Sequence, residues 1–331
     1  MKPDKWTPER LEESANYWAD RLVLEAAALD LPAQLAQGPL TADELAERLG
    51  LDARAALLFL DALAALGLLN KETGRYSNTE EAARFLVPES LDYLGHRLRA
   101  ARDSWELWAR LPEALRTGQR QREKTPFRDD PVAARSLLLS IHRNARSRAA
   151  DILLNGSVEL DDRRRMLDLG GGAGTYSVAF CRAYQELHST LVDRPIAAAV
   201  ARDVVASAGL EDRITILEYD VDEGELPASY DFIWISNVIH SRSFNANRAL
   251  FERLLSRLEP GGTIAIHDLI MENDRTTPPA AAVFSLHMLL NNGVGRCYTF
   301  QEVNGWLDGA GFRDIHWIRD DEELSIVTAT R

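Results

Sequence analysis

The stretch Met166-Leu167-Asp168-Leu169-Gly170-Gly171-Gly172-Ala173-Gly174-Thr175 decides the fold. An apolar strand runs into glycines, and a helix is expected to start near Thr175. Glycine has no Cβ and reaches positive φ freely, so its backbone can lie directly against a ligand. A helix N-terminus behind the loop offers free N–H groups. This is a nucleotide-type cradle. It lacks the Gly-Lys-Ser/Thr that ends a Walker loop. Nor does it follow the dinucleotide fingerprint G-x-G-x-x-G, because its glycines run G-x-G-x-G with Asp168 two residues upstream. The bare alternative is a glycine-rich strand–helix turn without a ligand.

Moving outward, Ser189 to Asp193 reads as the next strand. Asp193 closes it about twenty residues after the glycines, where an acid accepts ribose hydroxyls. A third strand, Arg213 to Tyr219, ends at Asp220, placed to reach an adenine edge. A fourth, Tyr230 to Ser236, leads into Asn237-Val238-Ile239-His240. A helix over Asn247 to Leu258 is followed by a Pro260-Gly261-Gly262 turn and a fifth strand, Thr263 to His267. Two last strands, Phe312 to Ile318 and Leu324 to Ala329, are joined only by Arg319 to Glu323. That link is too short for a parallel crossover, so the pair must be an antiparallel hairpin. The expected fold class is α/β, a doubly wound, mostly parallel seven-stranded sheet with an antiparallel last strand. A plain dehydrogenase domain lacks such a strand.

The chain has 331 residues and 46% hydrophobic content, enough for two domains with cores of their own. A net charge of −13 speaks against a nucleic-acid partner, since phosphate binding needs a basic surface. Cys181 and Cys297 are the two cysteines, and they form neither a disulfide framework nor a metal set. No His-x-x-x-His or Cys-x-x-Cys spacing occurs, so no metal is expected. The start, Met1-Lys2-Pro3-Asp4-Lys5-Trp6, is charged and has no apolar signal core. No run approaches the length of a membrane span. No membrane partner and a cytoplasmic location are expected.

Residues 8–31 read as one amphipathic helix with Leu11, Tyr17, Trp18, Leu22, Leu24 and Ala27. Thr41-Ala42-Asp43-Glu44 opens a short helix to Leu49 with a capping-box pattern. A turn at Gly50-Leu51-Asp52 leads to a second helix, Ala53 to Leu66, and Leu68 to Ser77 reads as a two-stranded wing. Together these form a winged helix-turn-helix. Its second helix offers only Arg54 and Asp61 on an apolar surface, a poor groove reader and a better dimer interface. Residues 88–160 read as helical connectors. Within them, Arg116 to Lys124 is a charged, solvated stretch, and Pro131 to Leu154 is a long helix carrying His142.

The acid followed by G-x-G-x-G resembles the S-adenosylmethionine (SAM) loop of Rossmann-like methyltransferases. SAM carries a sulfonium and an ammonium and no phosphate, so an acid beside the loop suits it. With a winged helix in front, nearly the whole chain resembles the dimeric small-molecule O-methyltransferases of the caffeic-acid and acetylserotonin type and their bacterial tailoring relatives. The resemblance implies a winged-helix dimerisation domain over residues 1–100, a connector covering the acceptor pocket over 101–160, and a SAM domain over 161–331. It also implies a homodimer. SAM contacts carry over to Asp168, Gly170, Gly172, Asp193, Asp220 and Val221, and to Ser236, where the family often has a lysine. The family's histidine after the fourth strand matches His240, although its His-Asp-Trp run reads His240-Ser241-Arg242 here. Of the two acids that flank that histidine in plant members, one matches Asp268 and the other falls at Cys297. Met288 and Asn292 match acceptor-pocket positions, and His142 resembles a Met-His pair whose methionine is Ile141 here.

Methyl transfer from a sulfonium is an in-line displacement with a good leaving group, so alignment does most of the work. A phenol with a pKa near ~10 must also lose its proton. A histidine suits that task at neutral pH. His240 is therefore the candidate base or positioning donor, and Asp268 the group that would hold its tautomer. A hydrogen-bonded structural histidine is the competing reading. His142 is open between an acceptor contact and a structural role. His267 should face the other side of its strand. His287 and Met288 sit on an apolar helix that reads as core. The expected function is SAM-dependent methylation of a hydroxyl on a small aromatic or polyketide-type metabolite. C- or N-methylation, SAM binding without methyl transfer and a SAM-sensing winged-helix regulator remain as alternatives.

Overall fold

The computed structural model describes residues 6–331 except 91, 124–129, 222–225, 227–228 and 320–322. The charged start at 1–5, the end of the charged run at Lys124 and most of the link between the last two strands lie outside the described residues. The chain divides into two compact units between Glu106 and Leu107.

In the N-terminal unit, the single helix expected over residues 8–31 is broken into α1 (Pro8–Glu13), α2 (Trp18–Ala28) and α3 (Leu31–Gln34). The first break falls where the Ala15 and Asn16 N–H groups bond back only three residues, to Glu12 and Glu13, and close α1 in tight turns. The second falls at Asp30, which takes φ 51° and pairs with Arg99. Apolar periodicity alone registered neither break. Strand β1 (Leu40–Thr41) leads into α4 (Ala42–Leu49), whose capping box is complete. The Thr41 hydroxyl accepts from Glu44 N at 3.2 Å, and the Glu44 carboxylate accepts from Thr41 N at 2.7 Å. Then come α5 (Ala53–Ala65), N-capped by Asp52, and the wing β2 (Leu69–Glu72) and β3 (Arg75–Asn78). Thr73 and Gly74 both have positive φ at the two-residue hairpin turn, as a type I′ turn requires. Helices α6 (Glu80–Leu86) and α7 (Gly95–Trp108) follow, and α7 runs across the division.

The C-terminal unit begins with α8 (Leu111–Thr117) and α9 (Pro131–Leu154). Its sheet has the order β6-β5-β4-β7-β8-β10-β9. The strands are β4 (Arg165–Leu169), β5 (His188–Asp193), β6 (Ile214–Glu218), β7 (Tyr230–Ser236), β8 (Leu258–Asp268), β9 (Arg313–Arg319) and β10 (Ser325–Thr330). The first five are parallel, and β10 runs antiparallel between β8 and β9. Helices cover both faces: α10 (Thr175–Ala183), α11 (Pro195–Ala208), α12 (Phe244–Leu255), α13 (Pro279–Asn291) and α14 (Phe300–Ala310). Side-chain alternation on β7 feeds both cores. Ile233 and Ile235 join Phe251, Leu254 and Trp306 on one face, while Phe232 and Trp234 join Ile152 and Phe180 on the other.

The fifth strand starts earlier than its sequence suggests. The helix before the fifth strand ends at Leu255, and Pro260-Gly261-Gly262 lies inside β8. Leu258 pairs with Tyr230, then the register jumps and Thr263 faces Phe232. The glycines, with Gly261 at φ 76°, absorb the extra residues as an irregular bulge.

Candidate active site

Chain order reverses at β4, whose neighbours are β5 on one side and β7 on the other. Ligands of open α/β sheets bind at the carboxyl ends of the strands at such a switch point. The loop after β4 fills that place. Gly170, Gly172 and Gly174 all have positive φ. A Cβ on Gly170 would stand 2.5 Å from Val238 Cγ2, and one on Gly171 2.6 Å from Leu191 Cγ. Gly171 is thus as constrained as the two glycines singled out from sequence. Gly172 N donates to Asp193 Oδ2 at 2.8 Å, and Arg194 N donates to Oδ1 at 2.7 Å. Asp193 thereby pins the loop and keeps a lone pair on each oxygen.

Asp168 is 1% exposed and accepts from the Ser177 hydroxyl at 2.6 Å. Burial foremost, with the neighbouring Asp193 charge, pushes it up to about 6. Burial also raises Asp193. Two carboxylates raised at one bare-backbone loop fit a cationic ligand, because a bound positive charge favours their ionised forms. The residues present therefore suit SAM. Asp220 is paired with Arg194, whose Nε lies 3.0 Å from its carboxylate. The carbonyl of Val221 accepts from Arg253, and its side chain packs on the core. The Ser236 hydroxyl lies 3.1 Å from His267 Nδ1 and accepts from the Asn237 amide at 3.0 Å. His267 is fully buried and its ring lies against Trp234.

His240 follows β7 on a single 3-10 turn, Ile239–Ser241. Its Nδ1 lies 2.7 Å from Asp268 Oδ1 at the end of β8. The same oxygen accepts from Leu269 N at 2.8 Å. The Phe284 and His240 rings meet perpendicular to one another, centroids 5.0 Å apart at 89°. Side chains distant in sequence clamp this turn. Asn247 donates to the Ile239 carbonyl at 2.9 Å, Asn292 to that of Ser241 at 2.8 Å and Tyr298 to that of Arg242 at 2.6 Å. Gly295 lies against it so closely that a Cβ would come 2.1 Å from the His240 carbonyl oxygen.

The acceptor residues inferred from resemblance divide. Met288 is buried on α13, the helix that carries Phe284. Asn292 caps that helix, and its Oδ1 accepts from the N–H groups of Val294 and Gly295. Its polar atoms thus hold backbone. His142 has its Nδ1 2.8 Å from the hydroxyl of Thr175, the first residue after the glycine loop. Cys297 is buried, and burial with the Asp268 charge pushes its thiol up to about 12. It stands as a neutral wall beside the dyad. Asn247, Tyr298 and Gly295 escaped the sequence reading, as did the ring at Phe284. Among the described residues, no group of three or more His, Cys, Asp or Glu is placed to hold a metal ion.

A doubly wound sheet with an antiparallel last strand, and an acid-lined glycine loop at its switch point, define the class of SAM-dependent methyltransferases. The sequence profile of the O-methyltransferase domain matches residues 130–313, and that of the O-methyltransferase dimerisation domain matches residues 13–88. A 3-hydroxy-5-methyl-1-naphthoate 3-O-methyltransferase of Streptomyces sahachiroi is 34% identical over 327 residues, covering 96% of this chain and 93% of that one. The tetracenomycin polyketide synthesis 8-O-methyl transferase of Streptomyces glaucescens is 33% identical, covering 92% and 91%. The chain belongs to the O-methyltransferase family, as a SAM-dependent enzyme. Among solved structures, PigF with SAH, from a Serratia strain, has the same fold, with a TM-score of 0.86 at 23% identity over 99% of this chain and 100% of that one.

Proposed function

We propose that this enzyme methylates a phenolic hydroxyl of a small aromatic or polyketide-type metabolite, with His240 as the base, and that it works as a homodimer. The observation that carries the reading is the 2.7 Å contact of His240 Nδ1 with buried Asp268, on a turn whose Val238 touches Gly170 of the donor loop. Asp193, Gly170 and Gly172 would hold SAM, with Asp168 supplying negative charge behind them and Asp220 and Ser236 at the rim. When bound, SAM supplies an electrophilic methyl group on a sulfonium and leaves as a neutral thioether. The chain aligns the acceptor and removes its proton. Asp268 accepts the Nδ1–H and so leaves the Nε2 lone pair to take the phenol proton. Such a base contributes ~10²–10⁴-fold.

Two substitutions separate the halves of this reading. Asp193→Ala should weaken SAM binding by calorimetry at least about tenfold, the loss of one charge-assisted contact. Unchanged binding rejects the ribose assignment. His240→Ala should lower kcat by about 10²-fold or more and leave the SAM affinity in place. Full kcat on the true acceptor would reduce catalysis to alignment alone.

A further inference from the structure

A second imidazole stands near the first. The indole Nε1 of Trp108 lies 3.2 Å from His287 Nδ1 on α13. An indole N–H only donates, so Nδ1 must be the unprotonated nitrogen and the proton must sit on Nε2. Burial foremost, with Arg122 close by, holds His287 below the ordinary histidine value, which favours the neutral ring. Its plane is set as well. The Trp108 and His287 rings lie side by side and near-parallel, centroids 6.4 Å apart at 17°, as an in-plane N–H···N bond requires, and His287 stacks on Phe284 at 5.4 Å and 26°. Phe284 in turn meets the His240 ring at a right angle. An aromatic wall therefore runs from Trp108 through His287 and Phe284 to the candidate base. Among the described residues, His287 Nε2 meets no hydrogen-bond partner, and the ring is only half-buried.

We infer that His287 is a specificity-determining donor for the methyl acceptor. Its Nε2–H binds a carbonyl or carboxylate oxygen on the aromatic framework that carries the reacting hydroxyl, and Trp108 is the positioning residue that fixes the tautomer. This deepens the proposed methyl transfer and rests on it. A planar acceptor lies along the stacked wall, with its hydroxyl at His240 and its second oxygen at His287. A site built to donate to a substrate oxygen discriminates against the analogue that lacks it, because the N–H is then left unpaired. One such bond corresponds to a preference of about tenfold to a hundredfold.

The test uses the full chain with SAM and matched probe pairs on benzene, naphthalene and anthracene frameworks. Each hydroxy-aryl carboxylate is set against its decarboxylated phenol, and 1-hydroxyanthraquinone against 1-hydroxyanthracene. In the wild type, the oxygen-bearing member of a pair should be favoured at least tenfold in kcat/KM, or in Kd where turnover is slow. His287→Phe keeps a stacking ring and removes the donor. It should erase the preference through KM, with kcat on the plain phenol and the SAM affinity retained. His287→Asn restores an N–H and should recover part of the preference. Trp108→Phe should give an intermediate loss. An equal preference in wild type and His287→Phe overturns the inference while methyl transfer still stands. A wild type that binds SAM but no probe of any pair overturns the inference together with the proposed function.

Discussion

Asp268 carries two hydrogen bonds on one oxygen. Oδ1 faces both His240 and Leu269, while the buried Oδ2 has no partner among the described residues. An unpaired buried carboxylate oxygen costs stability, a cost the proposed dyad would account for. On that reading, Asp268→Asn should lower kcat by about 10²-fold or more, with SAM affinity kept. A kcat equal to the wild type rejects the dyad. Asp168 shows the same conflict at the cofactor. Its carboxyl, pushed up to about 6 from 3.8, binds its proton more tightly in the folded chain than in the unfolded one. The stability from this group is fully present below pH 3.8 and is lost as the pH rises through about 6. Asp168→Asn, neutral at every pH, should melt higher than the wild type at pH 8, by the equivalent of ~1–2 kcal/mol once the weaker Ser177 bond to a neutral acceptor is deducted. It should gain nothing at pH 4 and should bind SAM less tightly. Equal melting differences at both pH values would reject the buried-charge account. The acids and His240 were legible as candidates because each lies in, at the end of, or just after a strand that its own composition announces. The partners of these residues were not, because a hydrogen bond from Asn292 to Ser241 spans 51 positions and leaves no trace in local pattern.

The turn Ile239–Ser241 is the element that brings base and donor loop together, and it is too short to be stable by itself. Two side-chain donors hold its carbonyls, a third holds that of Arg242 just past it, and Gly295 closes against it. Gly295→Ala must move the His240 backbone, since 2.1 Å is far inside van der Waals contact. A shift of about 1 Å is enough to cost ~10²-fold in rate. The expected result is a fall of that size in kcat, with a SAM Kd within about twofold of wild type, because the donor loop is pinned separately through Asp193. A matched loss of SAM affinity would mean that the substitution disrupts the whole sheet end. Element types followed from the sequence wherever glycine, caps and alternation agreed, as at β4, the Thr41 capping box and the wing. They failed where tertiary pairing overrode a local signal. The Pro260-Gly261-Gly262 segment reads as a free turn, yet the register with β7 draws it into β8.

At the scale of the molecule, assembly is the open question, and the N-terminal unit argues it. Helix α5 buries Ala56, Leu60 and Leu63 in its own core and leaves Leu57 and Leu58 on the surface, with Leu66 exposed just past its end. Leu11, Tyr17 and Trp18 are exposed as well, with Trp18 at 75%. These residues belong to the segment that matches the dimerisation domain, except Leu11, which precedes it. A groove-reading helix would show cations instead. The acid on α5, Asp61, is taken by Lys71 and Tyr76 of the wing, and the chain carries a net charge of −13. Exposed apolar surface on this scale is covered in a stable protein. Light scattering at micromolar concentration should return a mass near twice 37.0 kDa. Leu58→Glu combined with Leu66→Glu places charge on that surface without touching the buried side of α5. The double variant should dissociate toward a 37.0 kDa species and keep a cooperative melt and SAM binding. A wild type that scatters as a monomer would reject the homodimer. A variant that stays dimeric would move the interface off the α5 surface and onto the segment around Trp18.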